Sequence, residues 1–101
     1  MSKKGAVGRH VAWQLMRCGT SIGANAAEAQ EAQTKPDFVA KLAVSRKESR
    51  ETLYWLRLAA RVAIVTDEQV AGELDEAMQL RSMIISAIKT AQESPGRRGP
   101  E

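Results

Sequence analysis

The stretch RCGTSIGANAAEA, Arg17–Ala29, decides how this chain is read. Gly19 and Gly23 stand among Ser, Thr and small apolar residues. Such a run is either a loop that cradles phosphate or a helix thinned so that another helix can press on it. A phosphate loop follows a strand, opens a helix and carries a Lys-Ser/Thr pair. No β-branched strand precedes Gly19, and the Lys-Ser/Thr pair is missing. Instead Val11, Leu15, Cys18, Ile22, Ala26 and Ala29 recur at helical spacing straight through both glycines. This predicts a helix over about residues 8–33. Projected at about 100° per residue, Ala12, Gly19, Gly23 and Ala27 form a thin strip beside the apolar stripe, where a second helix is expected to pack closely. Each Gly costs about 1 kcal/mol of helix propensity, which that packing has to offset. Asn25 falls at the margin of the core and needs hydrogen-bond partners. Glu51, Ser45 and Ser49 are the candidates, in a contact that fixes register rather than one that does chemistry.

Downstream, the signals are clearer. Thr34-Lys35-Pro36-Asp37 is a helix start: Thr34 can cap, Pro36 suits the first turn, and Asp37 lies three residues after the cap. Phe38, Leu42, Ser45, Ser49, Leu53, Leu56, Ala60 and Ile64 then keep the helical period. Thr66-Asp67-Glu68-Gln69 is a second capping-box pattern, followed by Val70, Leu74, Ala77, Met78, Ile84, Ile85, Ile88 and Ala91. The reading is all-α: three long helices over about 8–33, 35–64 and 67–93, antiparallel because the turns are short. Residues 1–93 form one domain, and SPGRRGPE reads as a disordered tail over 94–101.

Composition excludes several classes. With 101 residues, 44% hydrophobic and 27% charged, the chain is expected to be one small globular domain. A net charge of +3 permits nucleic-acid contact without demanding it. One cysteine allows no internal disulfide, and one histidine argues against the usual multi-ligand metal clusters. No apolar run is long enough for a membrane span, and the start lacks a signal-peptide core, so a cytoplasmic protein is expected.

The middle helix carries two apolar faces. Opposite its main stripe lie Val44, Trp55, Leu58 and Val62, which predict a sandwiched helix and an oligomer interface. Between the faces lie Arg46, Arg50, Arg57 and Arg61, none with an acid three or four residues away. They either meet solvent and acids such as Glu73, Asp75 and Glu76, or form a nucleic-acid surface with Tyr54 and the tail residues Arg97 and Arg98. Glu28, Glu48 and Glu51 do not make a di-metal carboxylate site, since no Glu has a His three residues on. Cys18 lacks a His partner and reads as a small buried hydrophobe, and His10 as a surface residue. No catalytic residue, metal, cofactor or small-molecule substrate is expected.

Two segments, RCGTSIGANAAEAQEAQTKPDF (17–38) and KLAVSRKESRETLYWLRLA (41–59), strongly resemble the bacterial four-helix-bundle family encoded by intervening sequences within large-subunit ribosomal RNA genes. The resemblance spans about residues 13–93. It implies that the first motif lies on the family's second helix and the second motif on its third. It also implies a bundle similar to the accessory protein that works beside the reverse transcriptase of diversity-generating retroelements, a ring-like homopentamer, and no catalytic activity. Family chains usually have another long helix ahead of the stretch matching Trp13–Arg17, where this chain has about a dozen residues. The expectation is therefore a four-helix bundle truncated at its first helix, with a groove along the remaining three. The expected function is a non-enzymatic module that self-associates and engages RNA or a nucleoprotein partner. The alternative is a purely structural bundle that binds a protein partner and no nucleic acid.

Overall fold

The computed structural model describes residues 3–94. Three helices follow in order: α1 (Lys3–Gln30), α2 (Lys35–Arg61) and α3 (Asp67–Glu93). No strand occurs among the described residues. No helix there is long and apolar enough to cross a membrane. The expected tail at 94–101, apart from Ser94, lies outside the described residues.

The two predicted helix starts form as their sequences dictate. Thr34 accepts a hydrogen bond from the Asp37 amide at 3.2 Å, with Pro36 in the first turn. At α3 the capping box closes reciprocally. The Thr66 hydroxyl accepts from the Gln69 amide at 3.0 Å, and the Gln69 side chain accepts from the Thr66 amide at 2.9 Å.

The helix limits differ from expectation at three places. α1 begins at Lys3 rather than near residue 8, because nothing in KKGAV breaks a helix and the turn between α2 and α3 lies against its first turns. A Cβ at Gly8 would stand 3.8 Å from the Ile64 side chain. α1 ends at Gln30, where Glu31 and Ala32 bond back three residues and tighten the chain into the turn. α2 ends at Arg61 instead of reaching Ile64. Ala63 takes a left-handed conformation at φ 59°. Its amide donates to the Ala60 carbonyl at 3.1 Å, and the Ile64 amide to the Ala59 carbonyl at 2.9 Å. These are the two bonds of a Schellman ending.

α2 is the shared wall. α1 and α3 each pack against it, while no Cα of α1 comes within 8 Å of one in α3. The Cα extents are 59 × 22 × 13 Å. A width of that size fits three helices side by side at roughly 8–10 Å spacing, so the molecule is a curved layer. Ile22 and Ala29 of α1, Leu42 of α2, and Ile84 and Ile88 of α3 form the buried cluster.

The close approach of α1 to a neighbour is real, but other residues make it. Gly19 and Gly23 do lie inside continuous helix. A Cβ at either would meet nothing within 4 Å, and Ala12 and Ala27 are exposed too. The strip therefore faces no helix of this chain. The seam between α1 and α2 is instead made thin by Cys18, Ser45 and Ser49, the largest fully buried side chains. Ser45 donates its hydroxyl to the Ile22 carbonyl at 2.9 Å across that seam. Asn25 also departs from expectation: it donates to the Ser21 carbonyl and hydroxyl in its own helix, one turn back. Glu51 and Ser45 are engaged elsewhere, and Ser49 donates to the Arg46 carbonyl.

Two substitutions test these turns. Ala63→Gly removes left-handed strain at the cost of a floppier unfolded chain, and is expected to stabilise the fold by about 0.5–1 kcal/mol. Thr66→Ala removes the cap of α3 and is expected to cost about 1 kcal/mol. Urea unfolding followed by circular dichroism measures both.

Candidate nucleic-acid interface

α2 turns about half its circumference toward α1 and α3, with Leu42, Ser45, Glu48, Ser49, Leu53, Leu56 and Ala59 buried. The rest faces solvent. Arg46, Arg50, Arg57 and Arg61 are exposed there and make no ion pair among the described residues. The spacing that groups them is four, seven and four residues, close to a whole number of helical turns, so they run nearly parallel to the axis. Lys47 is a further exposed cation beside this row, passed over in the sequence because it is offset by about 60° from Arg50. Arg97 and Arg98 lie outside the described residues.

No glutamate of α2 lies three or four residues from any arginine of the row, and both α2 glutamates face the α1 seam instead. Arg17 of α1 reaches across the seam to Glu48 at 3.3 Å and to Glu51 at 3.0 Å. The third ion pair, Lys41 with Glu28 at 3.6 Å, lies on the same side. The acids of α3 do not close the row either. Asp75 accepts from Gln79 at 2.7 Å. Glu73 and Glu76 line a groove on the other side of the layer, with Leu15, Thr52, Leu56, Ala77 and Leu80.

Tyr54 borders the row with 57% of its surface exposed. Trp55 holds it edge-on, with ring centroids 4.9 Å apart and an interplanar angle of 78°. Around Tyr54 a shallow recess of about 480 Å³ is lined by Arg50, Arg57, Leu58 and Arg61.

The second apolar face predicted for α2 is partly covered within the chain. Trp55 is half-buried and makes an edge contact with His10 of α1, ring centroids 5.6 Å apart. His10 is exposed as expected, yet this contact gives it a packing role. Leu58 is half-buried, while Val44 and Val62 are exposed. Larger uncovered apolar side chains lie on the flanking helices: Trp13 and Met16 on α1, and Met78, Leu80 and Met83 on α3.

Cys18, Glu48 and Glu51 bring potential ligand atoms within 4.8 Å of one another. Glu28 is not among them. Arg17 already bonds both carboxylates and lies 3.3 Å from the Cys18 sulfur. Burial pushes the Cys18 thiol up from its ordinary pKa, and the nearby Arg17 charge offsets this only in part. A protonated, fully buried thiol is a poor nucleophile and a poor ligand. The cluster is best described as an ion-paired seam. Cys18 is therefore expected to resist thiol reagents in the native protein and to react at once in denaturant. A double-mutant cycle is expected to give Arg17 a stronger coupling to the buried Glu48 than to the half-exposed Glu51.

No curated protein matches the chain in sequence. A crystal structure of a protein with unknown function from the S23 ribosomal protein family of Bacteroides thetaiotaomicron is similar, with a TM-score of 0.76 and 42% identity. The match covers 78% of this chain and 73% of that one. The 23S rRNA-intervening sequence protein family matches residues 9–86, which take in the α1–α2 seam, the arginine row and most of α3. The fold, the two motifs and this match agree: the chain belongs to the 23S rRNA-intervening sequence protein family.

Proposed function

We propose that the chain is a non-enzymatic helical module that self-associates and offers the outer face of α2 to RNA or a nucleoprotein partner. One observation carries the RNA reading. Arg46, Arg50, Arg57 and Arg61 are aligned and exposed and make no ion pair among the described residues, since no acid of α2 lies three or four residues from any of them. The row extends about 22 Å along the helix at 1.5 Å per residue. Unpaired surface arginines meet phosphate with little desolvation cost and release counterions as they do so. The family description names a ribosomal RNA intervening sequence and no activity.

Self-association rests on the groove between α1 and α3. Those helices stay apart, and the space between them is lined by Leu15, Leu56, Ala77 and Leu80. Farther along α3, Phe38, Met83, Ala87 and Ala91 line an open recess of about 700 Å³. Apolar surface of this kind is rarely left in water. A second copy covers it in this reading, alongside Val44 and Val62, which lie about 100° or more around α2 from the arginine row. A heterologous contact that closes gives a ring, and the family resemblance points to five copies.

Light scattering at micromolar concentration is expected to report an oligomer, and Met83→Glu to lower its mass. A monomeric wild-type chain overturns self-association. Replacing Arg46 and Arg57 with Ala is expected to weaken RNA binding alike across sequences. The same change flattens the salt slope by about 0.7–0.9 per lost contact. RNA binding absent at low salt leaves the structural bundle with a protein partner as the better reading.

A further inference from the structure

The arginine row could serve any polyanion, but Tyr54 narrows the choice. Its neighbours one turn away on either side are Arg50 and Arg57, so the ring borders the cationic row and shares one recess with Arg50, Arg57 and Arg61. It is the only exposed aromatic residue of α2; Trp55 is turned into contact with His10, and Phe38 packs against the core. A tyrosine more than half in water, flanked by cations and held at a fixed angle by Trp55, is a stacking platform between phosphate contacts. A duplex presents phosphates to such a row while hiding the faces of its bases. An unpaired strand presents both.

We propose that the outer face of α2 binds single-stranded RNA, with one unpaired base stacked on Tyr54 in the recess lined by Arg50, Arg57, Leu58 and Arg61. This rests on the RNA reading above and adds the class of RNA and the base contact. The arginines hold the backbone on either side of that base, and half-buried Leu58 supplies apolar contact to it. A second copy's α3 is also acidic, with Asp67, Glu68, Glu73, Asp75 and Glu76 exposed. It matches the row less well. Its acids are spread around the helix, Glu73 and Glu76 toward the α1 groove and Asp67 beside Arg57 and Arg61 of its own chain, and it leaves Tyr54 without a role.

The test is fluorescence anisotropy of a labelled unstructured RNA oligonucleotide and a blunt RNA duplex of equal length, at low salt, with the full chain. The single strand is expected to bind more tightly. Tyr54→Ala is expected to lose on the order of tenfold in affinity for the strand, with the salt slope and duplex binding unchanged. Tyr54→Phe retains binding. With Trp13→Phe, leaving Trp55 as the sole tryptophan, emission is expected to change on addition of strand and not of duplex. Tyr54 is exposed, so circular dichroism should show all these variants folded. Equal binding of strand and duplex, or a Tyr54→Ala variant that binds the strand like wild type, overturns the stacking inference while leaving RNA binding in place. No binding of either RNA overturns both readings. Arg50→Ala and Arg57→Ala variants that lower the oligomer mass without altering RNA affinity overturn the inference in favour of the acidic face of another copy.

Discussion

The seam between α1 and α2 is the constraint on which the rest depends. Cys18, Ser45 and Ser49 are small enough to let the two helices meet closely. A hydroxyl buried in such a seam is costly unless bonded, and Ser45 is bonded to the Ile22 carbonyl. That bond requires one register of α2 on α1. The same register puts Arg17 within reach of both Glu48 and Glu51, which lie on neighbouring sides of α2. Serine, cysteine and ion pair thus specify one alignment together. Any sliding of one helix along the other would strand a buried hydroxyl and a mostly buried carboxylate.

The electrostatic character of the surface follows from where the acids of α2 fall. α2 carries few acids, and the two in its middle are drawn toward α1. The arginines on the remaining face make no ion pair among the described residues. Charge is therefore sorted across the width of the layer: compensated at the α1–α2 seam, cationic on the outer face of α2, acidic along the first half of α3. The apolar surface is sorted as well. α1 and α3 both lean on α2 and no Cα of one comes within 8 Å of the other, so part of their inner sides borders an open groove. One helix thus organises a seam, a basic face and an apolar groove.

Periodicity and caps carried most of the fold. Thr34 and Thr66 cap as read, because capping is a contact among residues three apart and needs no knowledge of the rest of the chain. The helical character of the glycine stretch was legible for a similar reason: the apolar stripe runs through it unbroken. The end of α2 was not. Ile64 keeps the apolar period, but it serves as the hydrophobic residue after a Schellman turn, folded onto α1 near Gly8. That ending relies on Ala63 at positive φ, a conformation that an alanine does not advertise.

Local sequence by itself determined that this chain forms three helices and that four arginines of the middle one lack partners within it. Both depend on spacings of three and four residues. Only the tertiary structure decided which surfaces those helices share. Gly19 and Gly23 have the composition of a packing strip and face open space, while the packing is done by Cys18, Ser45 and Ser49 one face over. Trp55 belonged on paper to a free apolar face and is half-covered by His10 from a helix forty-five residues earlier. Arg17 gave no sign in the sequence of its two distant glutamates. Rotation of one helix about its axis settles which of several small or apolar strips meets a neighbour. That rotation is chosen by the sum of contacts across the seam, which no single stretch of sequence contains.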